Sequence, residues 1–373
     1  MSKTVILGAG ATYGASTINQ DIKPPLLKDL PRIAASSLVS LNHSKDGPKF
    51  ANGFLDLLKL TQTDDDIETY LTVLHILGLI SRQINTKFVF MNDHEIQTLL
   101  NGCTLQQTFM STKLERIART ILEYFIKNKD VALMNYPINF QNIFQNSLRE
   151  YIYHALTNCF CIFHEKLFSS LSSDDTVVNF NYDEVADFTL FSSNKLSRES
   201  FARLPFDDIE FPKEIQPDCL PVRYLKLHGS FNWSMDIEKP HVYYNLISAA
   251  CNKKMIGSTL FPIILPTITK DLIYKQYPIY ASHIYEFSKS IEKSDIIFLV
   301  GKSFMNSDSE LNNIIKQQRV DNPCDLVLID PNIKNSDFVE YHEKLFNSTC
   351  IAKFSTLEEF YNSKYQLTTD GHR

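Results

Sequence analysis

Six short apolar runs constrain the fold of this chain more than any other feature. They are KTVILGAG (3–10), DTVVNFNYD (175–183), RYLKLHGS (223–230), DIIFLVGKS (295–303), CDLVLIDPN (324–332) and CIAKF (350–354). Each is built on a continuous stretch of mostly Val, Ile, Leu and Phe. A strand with one wet face alternates polar and apolar residues. A continuous apolar strand is buried on both faces, as in a parallel sheet covered by helices on each side. The predicted fold is therefore α/β, a Rossmann-like parallel sheet of about six strands with a large helical insertion. Most runs end in Gly, Asn, Asp, Ser or His. In open α/β sheets ligands bind beyond the carboxyl ends of the strands, so these polar endings are the first place to look for chemistry.

The long segment between the first two runs has a different character. DDDIETYLTVLHILGLISRQ (64–83) opens on three Asp, which cap a helix and complement its dipole. STKLERIARTILEYFIKNKD (111–130) sets Leu114, Ile117, Ala118, Ile121, Leu122 and Phe125 at helical spacing behind Ser111 or Thr112 as cap. The stretch 139–171 continues long and aromatic-rich. The expected organisation is a sheet domain from 1–30, 172–235 and 291–373, a helical insertion at 31–171, and a smaller insertion at 236–290. Pro240, Pro262, Pro266 and Pro278 punctuate the smaller insertion.

Composition narrows the class. The chain is 44% hydrophobic and 12% aromatic, enough for a sizeable core and unlike a disordered chain. Its 37 basic and 43 acidic residues are dispersed and leave a net charge of -6, so no direct nucleic-acid binding is expected. No run approaches the ~18 apolar residues of a membrane span. The first apolar run is short and enters a Gly turn, unlike a signal peptide. Seven cysteines without regular spacing read as reduced thiols. The expected location is the cytoplasm.

Individually the motifs stay open. GAGATYG (8–14) follows a strand, and glycines there let backbone approach a pyrophosphate; but its third Gly is one residue beyond the dinucleotide fingerprint, and a ligand-free turn stays open as the alternative. NFNYD (179–183) puts two amides and a carboxylate at a strand end, where a turn would also use them. A lone His such as His228 is more often structural than catalytic. Its place at a strand end, beside Gly229, favours a proton acceptor that works near neutral pH. VGKSF (300–304) is no P-loop, because Ile296 stands where that loop requires Gly. Gly301 and Ser303 can still line a nucleotide pocket. Asp330 can accept from ribose hydroxyls or cap a turn.

Taken in order, GAGA, NFNYD, LHGSFNW, VGKSF and IDPN resemble the NAD-binding domain of the sirtuin family, closest to the NAD-hydrolysing sirtuin-like proteins of prokaryotic antiphage defence. The resemblance covers about 1–30, 170–235 and 290–373. It implies that His228 faces the nicotinamide ribose as base and that Asn181 contacts that ribose or holds the attacking water. Asp183 would orient the nicotinamide side, and Gly229 would let the dinucleotide approach the backbone. Gly8, Ala9, Gly10 and Thr12 would take the phosphate side; Gly301, Ser303 and Asp330 would take the adenosine half. Two departures from the deacetylases matter. The cysteines after His228, namely Cys251, Cys324 and Cys350, are each alone, so no zinc is expected. The loop INQDIKPPLLKDL (18–30) lacks the family's Pro-Asp-Phe-Arg, and Asp21 is its nearest acid.

The resemblance thus implies an NAD+ glycohydrolase with NAD+ as substrate and water as acceptor, an NAD-depleting effector of antiphage defence. Protein deacylation and non-catalytic sensing of NAD or ADP-ribose are the alternatives. Such an enzyme must be restrained in its host. A homo-oligomer is expected, with the aromatic stretch 139–171 as its interface, and a HerA-type ATPase or a short Argonaute as the implied partner.

Overall fold

A computed structural model describes residues 1–13, 32, 47–63, 69–70, 73, 94, 112–127, 161–206, 208–210, 220–236, 242–245, 260–264, 278–304 and 308–363. The chain divides into two compact units. One comprises Met1–Pro24, Ile152–Leu265 and Lys270–Arg373; the other comprises Pro25–Tyr151 and Pro266–Thr269. In chain order the elements are β1 (Lys3–Leu7), α1 (Ala9–Tyr13), α2 (Gly47–Thr61), α3 (Thr112–Lys127), α4 (Ile162–Ser169), β2 (Thr176–Asn179), α5 (Val185–Ser192), β3 (Asp208–Glu210), β4 (Arg223–Lys226), β5 (Gly229–Asp236), β6 (Val242–Asn245), β7 (Leu260–Ile264), α6 (Pro278–Lys293), β8 (Ile296–Val300), α7 (Ser309–Arg319), β9 (Cys324–Ile329), α8 (Ser336–Phe346), β10 (Ser348–Phe354) and α9 (Leu357–Asn362).

The six apolar runs are the six strands of one all-parallel sheet, in the order β10-β9-β8-β1-β2-β4. This is the doubly wound order, in which the succession of strands reverses between β1 and β8. The fold is α/β and Rossmann-like. Every residue of β1, β2 and β8 is buried, as continuous apolar runs require. Helices α6, α7 and α8 pack side by side, and α4 packs on α5 and α9. Right-handed crossovers put these two groups on opposite faces of the sheet.

Strand β3, before β4, and three strands after it build a second sheet, which the run pattern does not foretell. Its order is β3-β6-β5-β7, with β5 antiparallel to both neighbours and β3 parallel to β6. Pro262 lies in β7, an edge strand, where a missing N–H is tolerated, and the pairing with β5 shifts register there. Trp233 of β5, the only tryptophan of the chain, is fully buried among Phe206, Tyr280 and His283.

Helix α4 belongs to the sheet unit. Its Phe163, Leu167 and Phe168 are buried. Most apolar side chains of this end of the 139–171 stretch are thus spent inside the chain, while Ile162 is exposed; 139–160 lie outside the described residues. In the other unit α2 packs on α3. Leu114, Ile117, Ala118, Ile121 and Leu122 of α3 are all buried, which is the predicted face. The side chain of Phe125, and most of 64–83, lie outside the described residues.

Two buried imidazoles make the sheet unit acid-sensitive. Burial pushes His283 down to about 3 and, against the opposing backbone of Ala11, His164 down to about 4, and neither ring nitrogen of His283 has a hydrogen-bond partner among the described residues. Both folded values lie below the unfolded one. Their contribution to stability is therefore complete above about pH 6.5 and is lost as pH falls through the window down to the folded values. Each contributes a slope of about 1.4 kcal/mol per pH unit within that window. Denaturant melts followed by Trp233 emission should show a shallower acid loss in His283→Phe than in wild type, by about that slope below pH 6.5. Parallel slopes would contradict the assignment.

Candidate functional site

Strand register brings the polar endings to one rim. Phe354, Ile329, Val300, Leu7, Asn179 and Lys226 stand on a single rung across the sheet. The next residues continue the ladder: Gly8 donates to Val300 O at 2.9 Å, Gly301 to Ile329 O at 2.8 Å, and Asp330 to Phe354 O at 3.0 Å. Phe180 donates to Leu7 O at 2.9 Å and Leu227 to Asn179 O at 3.2 Å. The predicted site residues therefore share the carboxyl rim. From β4 to β9 the rim spans four strand spacings, about 19 Å.

Asn181 joins the loop after β2 to the loop after β1. Its Nδ2 donates to Gly8 O at 2.9 Å and to Thr12 Oγ1 at 2.8 Å, and its backbone N–H donates to Asn179 Oδ1 at 2.9 Å. A carbonyl can only accept, so Gly8 O fixes which end of the carboxamide is nitrogen. Oδ1 is then the end of Asn181 left for a donor. Thr12 in turn reaches Asp183 Oδ1 at 3.5 Å, and that oxygen also accepts from Val185 N–H at 3.0 Å at the start of α5. Burial pushes the Asp183 carboxyl up, and the Lys226 charge opposes the shift.

Behind this loop lies a fully buried carboxylate, Asp187. Its Oδ2 accepts from Tyr224 OH at 2.7 Å and Lys226 Nζ at 3.1 Å. Its Oδ1 accepts from Tyr244 OH at 2.9 Å and Asn232 Nδ2 at 3.0 Å. Lys226 also donates to Asp183 O at 2.7 Å, and Asn179 Nδ2 donates to Tyr224 OH at 2.9 Å. Burial, then the Asp187 charge, pushes Tyr224 and Tyr244 well above the usual phenol range, so both stay donors.

His228 sits two residues past β4 and is buried. Its ring meets Phe180 edge-on at 4.9 Å and lies 6.3 Å from Tyr182. Its Nε2 is 3.7 Å from Asp308 Oδ1, and the other oxygen of Asp308 accepts from Lys302 Nζ at 2.7 Å. Lys302 also lies over the Phe180 and Phe304 rings, 4.4 and 5.2 Å from their centroids. Gly229 begins β5 with φ 83°, the left-handed turn that carries the chain from one sheet into the other.

The glycines have a structural duty as well. A Cβ on Gly301, whose φ is 57°, would stand 2.2 Å from Ala11 N and 2.3 Å from Gly10 C; one on Gly8 would stand 2.4 Å from Gly301 O. The Gly8, Gly10 and Ala11 amides donate to Val300 O, Gly301 O and Gly8 O. Those donors are spent within the chain, whereas Ala9 is exposed. Asp330 caps the turn that follows β9 by accepting from Asn332 N–H at 2.8 Å. Ser303 is half-buried after β8. Asp21 and its loop lie outside the described residues. Cys161 and Cys324 are buried, and burial pushes both thiols up to about 11, away from nucleophilic reactivity.

Sequence reasoning missed Asp187, Lys302 and Asp308. Lys226, a lysine inside the apolar run RYLKLHGS, is the one signal that a buried acid must lie nearby. A cleft of about 160 Å³ opens at the opposite, amino end of β2 and β4, lined by residues that include Ser173, Arg203, Arg223 and Glu286. No protein-family model matches the chain, and no curated protein matches it.

Breaking one partner of a buried pair costs about 3–5 kcal/mol. Asp187→Asn should lower unfolding stability by that order in urea melts followed by Trp233 emission. An unchanged midpoint would show that the buried pair does not organise this region.

Proposed function

We propose that the protein is an NAD+ glycohydrolase that releases nicotinamide and ADP-ribose. The observation that carries the reading is the placement of Asn181 and His228 just past the ends of the neighbouring strands β2 and β4 on the carboxyl rim, with Asn181 anchored on the Gly8 turn beside the point where strand order reverses. In this fold that crevice is where dinucleotides lie. The reaction breaks the C1′–N bond of the nicotinamide ribose. The bonding pair leaves with the pyridinium nitrogen as neutral nicotinamide, a water oxygen bonds to C1′, and the water's proton is released.

The leaving group is cationic and departs readily. The protein has mainly to position the ribose, exclude bulk water and accept the proton. His228 is the base for the water or a ribose hydroxyl. Asn181 Oδ1 accepts from the ribose or from the attacking water, with its amide nitrogen anchored on Gly8 O and Thr12 Oγ1. Asp183 steadies that anchor through Thr12. The Lys302 ammonium beside the Gly turn offsets pyrophosphate charge, since the Gly8 and Gly10 amides are already committed. Ala9 lines the phosphate side; Ser303 and Asp330 continue the rim toward the adenosine. Unrestrained turnover would exhaust the host's NAD, which fits a defence effector controlled by assembly with copies of itself or a partner such as a HerA-type ATPase or a short Argonaute.

The test is nicotinamide release from NAD+ by purified protein, alone and with the product of the neighbouring gene. His228→Ala and Asn181→Ala should each lose about 100-fold or more of the wild-type rate. Equal turnover by all three proteins would overturn the reading.

A further inference from the structure

Asp308 is a buried carboxylate approached by two basic side chains. It stands at the N-terminal cap position of α7 without using its side chain to cap the helix. Lys302, from the loop after β8, takes Oδ2 at 2.7 Å; His228, from the loop after β4, approaches Oδ1 at 3.7 Å. β1 and β2 lie between those strands, so this trio spans the rim above Phe180. The charged or titratable described groups around it are Asp308, Lys302 and Tyr182, with Tyr341 behind Asp308 and His342 near Lys302.

We propose that Asp308 is the positioning residue of His228: its carboxylate orients the imidazole and holds a proton on Nε2, while Lys302 competes for the same carboxylate. The nitrogen that faces a carboxylate is the one that carries hydrogen. A carboxylate within 4–6 Å favours the imidazolium, and an ammonium nearby opposes it. In the substrate-free form Lys302 holds the shorter contact, so His228 receives only part of the carboxylate's effect. An anionic dinucleotide that draws Lys302 to its phosphates gives His228 the rest. Substrate arrival thereby raises the basicity of the group that must take the proton.

The kinetic consequence rests on the glycohydrolase reading, but the effect on the imidazole does not. The experiment is an NMR pH titration of labelled histidine rings, with His228 assigned by His228→Gln, in wild type, Asp308→Asn, Asp308→Glu and Lys302→Met. Asp308→Asn should lower the His228 midpoint by about one unit or more, Lys302→Met should raise it, and Asp308→Glu should restore most of it. In steady-state assays Asp308→Asn should lower kcat about tenfold or more, with unchanged affinity for a non-cleavable NAD+ analogue. An unmoved His228 midpoint in Asp308→Asn, or a drop in Lys302→Met, overturns the proposal. If wild type releases no nicotinamide, the titration still decides the role of Asp308, and the glycohydrolase reading alone fails.

Discussion

The Asp187 carboxylate holds together the region on which everything else depends. Four donors from three strands meet it: Tyr224 and Lys226 of β4, Asn232 of β5 and Tyr244 of β6. A buried charge is tolerated only when it is paired and fully hydrogen-bonded, and here each donor also fixes a strand. Lys226 reaches on to the Asp183 carbonyl, so the loop that carries Asn181 and the strand that ends near His228 share one ammonium. The second sheet is thereby locked to the first at the left-handed turn at Gly229.

Around that node the rim divides its labour. The Gly8, Gly10 and Gly301 backbones touch so closely that no side chain fits between them, and they close the sheet where strand order reverses. Asn181 is anchored on this contact, while His228 faces a carboxylate that Lys302 also claims. Structure and chemistry thus use different atoms of the same short loops. Backbone amides hold the turn, and the Asn181, His228 and Asp308 side chains meet one another's loops along the rim.

The inner strands were legible because burial on both faces leaves a continuous apolar run, and that signal is local; β10, at the sheet edge, alternates between half-buried and exposed residues. The buried face of α3 was legible for the same reason, through helical spacing. The node was not. Lys226 and Asp187 are 39 residues apart in the chain, and only folding makes them neighbours. Asp308 hides in a polar loop sequence, where an acid is ordinarily a solvated cap. The second sheet was obscured because its strands carry polar residues and include Pro262 at an edge. Motif reading took the glycines as a phosphate cradle and left a ligand-free turn open; the geometry shows that packing against Gly301 already requires Gly8 and Gly10. Asp330 was open between ribose contact and cap, and its Oδ1 does cap a turn.

The proposed glycohydrolase needs a carboxamide and an imidazole from neighbouring strands to address one ribose. It is tested most directly by a crystal structure of the complex with a non-cleavable NAD+ analogue. The account predicts Asn181 Oδ1 and a His228 ring nitrogen both within about 3 Å of polar atoms of the nicotinamide ribose or its adjacent water. A dinucleotide bound away from this rim, or contacted there by only one of the two residues, would contradict it.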